Sequence, residues 1–259
     1  MAGNLRFRVL GPLEVHVNSS IEFIGGRRER ALLAGLLLTP GEAVEVDRLA
    51  DLLWPAKPPR DIGHALRTHV MRLRQHIGRD LVVTSPGAYA IVVEPETVDV
   101  HRFDQATTAG TVELAQRRLD AAEARLAEAV DIWHQGAPWI DLAGTVVGDA
   151  ERARLVERRL EVEERLAAVR LRLGRSPVDD IEKLAVEAPL REHRWLLLMH
   201  ALYVAGEQTR ALRAYESLRA RLRDELGLEP DRRVRAMEHR ILEHDPGLSS
   251  EDPVSFVLS

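Results

Sequence analysis

The chain has no cysteine among its 259 residues, which excludes a disulfide framework and any cysteine-based zinc site. Lysine is nearly absent, Lys57 and Lys183 alone representing it, so the basic character rests on arginine. No run of about 18 apolar residues occurs, as a membrane-spanning helix would need. The N-terminal stretch MAGNLRFRVLG has no apolar signal-peptide core, so the expected location is cytoplasmic, with no membrane partner. Also missing are G-x-S-x-G, a glycine-rich phosphate loop and H-E-x-x-H. The histidines are scattered, and His239 and His244 lack carboxylates placed as a metal site requires. The sequence therefore predicts no catalysis, no metal and no cofactor.

Charge of one sign is lacking overall but not locally. The net charge of -5 argues by itself against a nucleic-acid partner. Yet residues 1–97 carry 12 Lys+Arg against 11 Asp+Glu, and residues 60–79 hold five arginines and one acid. A local cationic face suffices for phosphate contacts, because screening mutes distant charges. The length admits two domains.

The most informative stretch is RDIGHALRTHVMRLRQHIG, residues 60–78. At 100° per residue Ile62, Leu66, Val70, Leu73 and Ile77 share a narrow stripe. Opposite lie His64, Thr68, Met71 and Gln75, flanked by Arg60, Arg67 and Arg74 on one side and Arg72 and Arg79 on the other. Asp61 sits in the first turn, where the macrodipole favours it. Such a helix is about 27 Å long and could seat its apolar stripe while its outer ridge enters a major groove. Alone, the pattern fits a solvated amphipathic helix better; the neighbouring segments reverse that preference.

Upstream, Leu5–Val9, Leu13–Val17 and Ile21–Phe23 alternate as a small antiparallel sheet. Residues 27–39 form a helix with Leu32, Leu33, Leu36 and Leu37 inward. Arg27, Arg28 and Arg30 occupy its first turn against the dipole, which fits an anionic partner and a solvated cluster equally. A second helix is expected over 48–54 with Asp47 as N-cap, followed by the stiff stretch PAKPPR. After the helix at 60–78, residues 81–84 and 88–93 form a hairpin around Ser85-Pro86-Gly87. Sheet, three helices and hairpin make a winged helix. Residues 98–244 read as all helix, with breaks at Gly136-Ala137-Pro138, Gly174, Pro189, Gly206 and Gly227 through Pro230. One helix is expected over 99–109 and the next from 112 to 134. Gly206, Ala211, Tyr215 and Leu218 carry part of a tetratricopeptide spacing, echoed by Ala122, Leu126 and Ala129. The last stretch lacks periodicity and is expected to be loose, with Phe256-Val257-Leu258 tacked down.

The segments LRFRVLGPLEV, GRRERALLAGLL, DRLADLLW and ALRTHVMRLRQHIG resemble the OmpR-type winged helix, and more narrowly that of the actinomycete antibiotic regulatory proteins, the SARP family. IWHQGAPWIDL and PLREHRWLLLMHALYVAGEQTRALRAYESLRARLRDELGLEP resemble that family's bacterial transcriptional activation domain. The fold class expected is thus mainly α: an N-terminal winged helix-turn-helix with small β-sheets, then an all-α tetratricopeptide-like domain. The divisions are 1–97, 98–245 and a C-terminal tail, 246–259. The resemblance implies a nucleoid-associated activator that binds direct repeats in double-stranded DNA as a homodimer, recruits RNA polymerase, and serves an antibiotic or secondary-metabolite cluster.

Contacts follow from both sources. Thr68 points straight out on the wheel, toward a base. The resemblance aligns Arg72 with a base-contacting position, and His69 and Arg74 with phosphate contacts. His69 also lies near the buried stripe, and Arg74 could pair with a carboxylate. Arg67 and His64 are phosphate candidates from geometry, and Arg27 from its cluster. Trp54 should anchor the following loop, its N–H left for a phosphate. The loop Pro55, Ala56, Lys57, Pro58 and Pro59 matches the polymerase-contacting loop of the resembled fold. The wing offers Ser85 and no cation, so at most backbone contacts are expected there. A reading of another class is a helical-repeat scaffold or sensor whose winged helix binds protein.

Overall fold

The structure, a computed structural model, describes residues 5–18, 20–133, 136–175 and 178–257. The chain divides into two compact units, residues 1–108 with 128–159, and residues 109–127 with 160–259. The first unit opens with β1 (Leu5–Arg8), β2 (Glu14–Val17) and β3 (Ser20–Glu22), antiparallel in that order, with Phe7 opposite Val15. Three helices follow: α1 (Arg27–Leu37), α2 (Val46–Leu53) and α3 (Ile62–Ile77). Between α1 and α2 lies a two-residue strand, β4 (Val44–Glu45), and after α3 come β5 (Val82–Ser85) and β6 (Ala88–Ile91). Their order is β4-β6-β5, so the wing hairpin is tied back to the entrance of α2.

The expected apolar stripes make the core. Leu32, Leu33, Leu36 and Leu37 of α1, Leu49 of α2, and Leu66, Val70 and Leu73 of α3 are all buried. Each contributes about 1.5–3 kcal/mol of burial.

The starts of α2 and α3 differ from the sequence reading. The N-cap of α2 is Glu45, with no side-chain cap, not Asp47. The pairing of Val44 and Glu45 with Tyr89 and Ala88 holds the backbone extended up to residue 45, so the helix starts directly after it. In α3, Asp61 is itself the N-cap, its Oδ1 accepting from the His64 amide at 2.8 Å. An acceptor there satisfies one of the otherwise orphaned amides.

The first unit reaches beyond the winged helix. Trp139, held at φ 53°, donates its amide to the Val9 carbonyl at 2.9 Å. The following 3-10 turn, Ile140–Leu142, carries Asp141, whose carboxylate accepts from Arg30 Nε at 2.7 Å, Arg30 Nη2 at 3.1 Å and the Leu13 amide at 3.1 Å. Arg30, left by the sequence between an anionic partner and solvent, thus has a carboxylate from its own chain.

Three helices supply residues to both units: α4 (Asp99–Ala115), α5 (Leu119–Ile132) and α6 (Val146–Arg172). The expected break at residues 110–111 is absent; α4 runs on to Ala115, and the chain turns at Arg117, φ 56°. Gly110 is there for close approach, since a Cβ would lie 2.8 Å from the Leu126 side chain. The second unit continues with α7 (Val178–Glu187), α8 (Glu192–Val204), α9 (Gln208–Leu226) and α10 (Arg232–Leu242). The buried helix α8 packs against α7, α9 and α10, and Ala211, Tyr215 and Leu218 of α9 are buried as a tetratricopeptide-like pairing requires. Buried Arg194 is held by Glu163 at 2.7 Å, Glu164 at 3.2 Å and the Leu184 carbonyl at 2.8 Å.

The tail is not loose over its described residues. Two 3-10 turns, Pro246–Ser250 and Pro253–Phe256, bury Leu248, Val254 and Phe256. His200 Nε2 lies 3.0 Å from the Leu248 carbonyl oxygen, and Arg233 Nη2 donates to the Phe256 carbonyl at 3.0 Å. These anchors come from distant helices, beyond the reach of a local periodicity argument. Leu258 lies outside the described residues.

Asp99, at the start of α4, accepts the Val9 amide at 2.9 Å and the Leu10 amide at 3.2 Å. Burial raises its carboxyl to about 6 despite those bonds. A folded-state value above the unfolded one favours the protonated fold, a gain complete below the ordinary value of 3.8 and lost as pH rises through about 6. In urea titrations the stability of the parent relative to Asp99→Asn should fall by up to about 3 kcal/mol between pH 4 and pH 7. A difference constant over that range would refute the assignment.

Candidate nucleic-acid interface

The apolar stripe of α3 fixes which residues can face outward. With Leu66, Val70, Leu73 and Ile77 buried, His64, Arg67, Met71, Arg72 and Gln75 are exposed, and Thr68 is half-buried. Thr68 Oγ1 donates to the His64 carbonyl at 3.1 Å. Its proton is thus spent within the helix, leaving oxygen lone pairs and a methyl for any base. Arg67, Arg27 and Lys57 are exposed and have no hydrogen-bond or ionic partner among the described residues.

Arg72 is partly anchored. Its Nη1 donates to Glu29 Oε1 at 3.3 Å while the side chain stays 56% exposed. A guanidinium has five N–H donors, so several remain for paired acceptors. His69 belongs to the same cluster: its Nδ1 is 3.0 Å from Glu29 Oε1, its side chain is 13% exposed, and its ring lies 5.7 Å from that of Trp54. The structure turns His69 inward, which suits a supporting role better than a direct phosphate contact. Arg74 is likewise engaged, donating Nε and Nη2 to the Val82 carbonyl at 3.1 and 2.6 Å and Nη2 to Thr84 Oγ1 at 2.8 Å. It ties α3 to the wing strand, with a carbonyl rather than a carboxylate as partner.

The loop from Pro55 to Pro58 is exposed and Pro59 half-buried, while Trp54, 8% exposed, anchors the loop's start. Ser85 is exposed beside the wing turn at Gly87, φ 71°, and its hydroxyl lies 3.4 Å from the Ala88 carbonyl.

Glu29 was not singled out by the sequence, yet it organises the site. It is 6% exposed and lies in the first turn of α1. Gly26 permits its position, since a Cβ at residue 26 would collide with Glu29 Oε2. Burial opposes ionisation, but the hydrogen bonds from His69, its own amide and Arg72 outweigh it and hold the carboxyl below its ordinary value. The available signal was an acid among three arginines at a helix start. Asp141 was missed for a different reason: its partners are more than a hundred residues away.

A core-seated outward helix, a wing pinned to it, and an exposed loop before it define a winged helix-turn-helix, here with a tetratricopeptide-like helical unit. The family described as "Transcriptional regulatory protein, C terminal" matches residues 22–88, and "Bacterial transcriptional activator domain" matches residues 98–242. Regulatory protein DnrI of Streptomyces peucetius is 33% identical over 263 residues, covering 96% of both chains. Regulatory protein AfsR of Streptomyces coelicolor is 35% identical over 253 residues, covering 96% of this chain and 25% of that longer protein. The solved structure of Mycobacterium tuberculosis EmbR in complex with a low affinity phosphopeptide superposes with a TM-score of 0.90 at 28% identity, over 98% of this chain and 68% of that one. The chain belongs to the SARP family of transcriptional regulators, with an OmpR-type winged helix and a bacterial transcriptional activator domain. No helix among the described residues is long and apolar enough to cross a membrane.

Glu29→Ala strands His69 Nδ1 without its partner and should cost about 1–3 kcal/mol in urea unfolding. Because the folded carboxyl ionises more readily than the unfolded one, its contribution is present above the ordinary value of 4.5 and lost as pH falls through the lower folded value. The parent's advantage over Glu29→Gln should therefore shrink on acidification. A pH-independent advantage would show that charge at residue 29 is irrelevant.

Proposed function

We propose that the chain is a sequence-specific activator whose helix α3 reads the major groove. Arg72 and Thr68 face the bases, with the remaining Arg72 donors directed at paired acceptors on guanine. Arg67, His64 and Arg27 meet phosphates, which set affinity and register. His69 and Arg74 serve the same surface mainly by positioning, through Glu29 and the wing. Ser85 and its neighbours add backbone contacts, and Trp54 holds the loop Pro55–Pro59 toward RNA polymerase. Residues 1–97 do the reading and 98–245 the activating, with 246–259 as a terminal brace. Two copies bind head to tail on direct repeats, so the protein is a dimer at least on DNA. The target is an antibiotic or secondary-metabolite cluster, and the protein works at the nucleoid. The supporting observation is the outer face of α3, exposed, edged by arginine and backed by the buried stripe Leu66, Val70, Leu73 and Ile77, with Ile62 of the expected stripe only half-buried.

Mobility-shift titrations of a promoter duplex and a scrambled duplex, each at two salt concentrations, test this reading. Arg72→Ala should weaken promoter binding by about 1–3 kcal/mol and relax one base position. Arg67→Ala should weaken both duplexes alike and lower the salt slope by about one. Parent-like binding by both variants would remove α3 as the reader.

A further inference from the structure

Beside the groove-facing surface lies a cavity of about 610 Å³, bounded by the start of α1, the end of α2, the loop after it and α3. That volume falls in the usual range for small-molecule sites, about 300–1,000 Å³. Its lining combines apolar residues, Leu52, Leu53 and Trp54, with the cations Arg27, Arg28 and Lys57. Those three cations have no ionic or hydrogen-bond partner among the described residues. The acids that line the cavity are already engaged: Glu29 by His69 and Arg72, Asp141 by Arg30 and the Leu13 amide. The charge left unanswered is therefore positive. A duplex phosphate could meet the exposed cations but would leave the apolar part of the lining uncovered.

We propose that this cavity binds a small organic anion, its flat apolar body against Trp54, Leu52 and Leu53 and its carboxylate or phosphate held by Arg28 and Lys57. Arg72 lines the same cavity. A bound anion offers its guanidinium a second acceptor beside Glu29 and draws it from the outer face of α3. Occupancy thus weakens DNA binding, a consequence that rests on the DNA-reading function proposed above, whereas the site itself does not.

Direct binding is read without DNA, on the full chain labelled with nitrogen-15, from the indole N–H of Trp54 assigned with Trp54→Phe. The probes are 1-naphthyl phosphate, inorganic phosphate and 1-naphthol. Naphthyl phosphate should shift the Trp54 signal saturably, at a concentration at least about tenfold lower than either fragment needs, because each fragment meets only the apolar or only the cationic part of the lining. The double variant Arg28→Ala, Lys57→Ala should raise that concentration at least about tenfold, since it deletes two charged contacts. No saturable shift, inorganic phosphate binding as tightly, or a double variant binding like the parent would each overturn the site. At constant ionic strength, saturating naphthyl phosphate should then raise the apparent Kd for promoter DNA about tenfold, within the usual range of coupling between sites. A filled cavity with unchanged DNA affinity would overturn the coupling alone.

Discussion

A buried carboxylate must find partners, and the winged helix is arranged around one that does. Taking Glu29 out of water costs several kcal/mol unless charge and hydrogen bonds are returned to it. His69 and Arg72, on the far side of the three-helix core in sequence, return them. The demand turns His69 inward against Trp54, fixes one end of Arg72, and requires residue 26 to have no side chain. The rotation of α3 about its own axis is set by the apolar stripe, but the setting of its arginine depends on this carboxylate.

The same device recurs twice in the first compact unit. Asp99 gathers the amides of Val9 and Leu10, and Asp141 gathers the Leu13 amide and the Arg30 guanidinium. The β1–β2 connection would otherwise bury backbone donors without acceptors, at about 1–3 kcal/mol apiece. Acids supplied from residues 99 and 141 answer that need. Asp141 also ties the segment 128–159 to the winged helix, and both belong to this unit.

What the sequence made legible follows from local physics. Period 3.6 in Leu66, Val70, Leu73 and Ile77 identified both the buried side of α3 and its outer side, and alternation around Ser85-Pro86-Gly87 identified the hairpin. What it hid depends on distant partners. Strand β4 is two residues long, so no alternation could show it; only pairing with β6 defines it. The run of α4 past residue 109 was not legible because the reason for Gly110, the Leu126 side chain, lies on another helix. The tail looked loose because the carbonyls of Leu248 and Phe256 are held by His200 and Arg233, and the Phe256 ring by His200, rather than by a periodic face of its own. Among the proposed contact residues, His69 and Arg74 have side chains long enough to reach inward or outward, and spacing alone does not choose between them.

A net charge of -5 does not conflict with a nucleic-acid surface, because the charges are unevenly committed. Many arginines of the second unit are spent on acids of that unit: Arg191 and Arg194 on Glu164, Arg175 on Asp120 and Glu123, Arg240 on Asp245 and Glu251. Paired charges cancel at short range, so they add little field at a distance. In the winged helix Arg27, Arg28, Lys57 and Arg67 remain unpaired among the described residues, and Arg72 is paired on one side only. At physiological salt an exposed charge acts over about 8 Å. A phosphate approaching α3 therefore responds to that unpaired group, not to the sum over the chain. Local pairing, rather than isoelectric point, decides which cations of an acidic protein are left to hold an anion, and around the start of α1, the loop after α2 and the outer side of α3 it leaves Arg27, Arg28, Lys57 and Arg67.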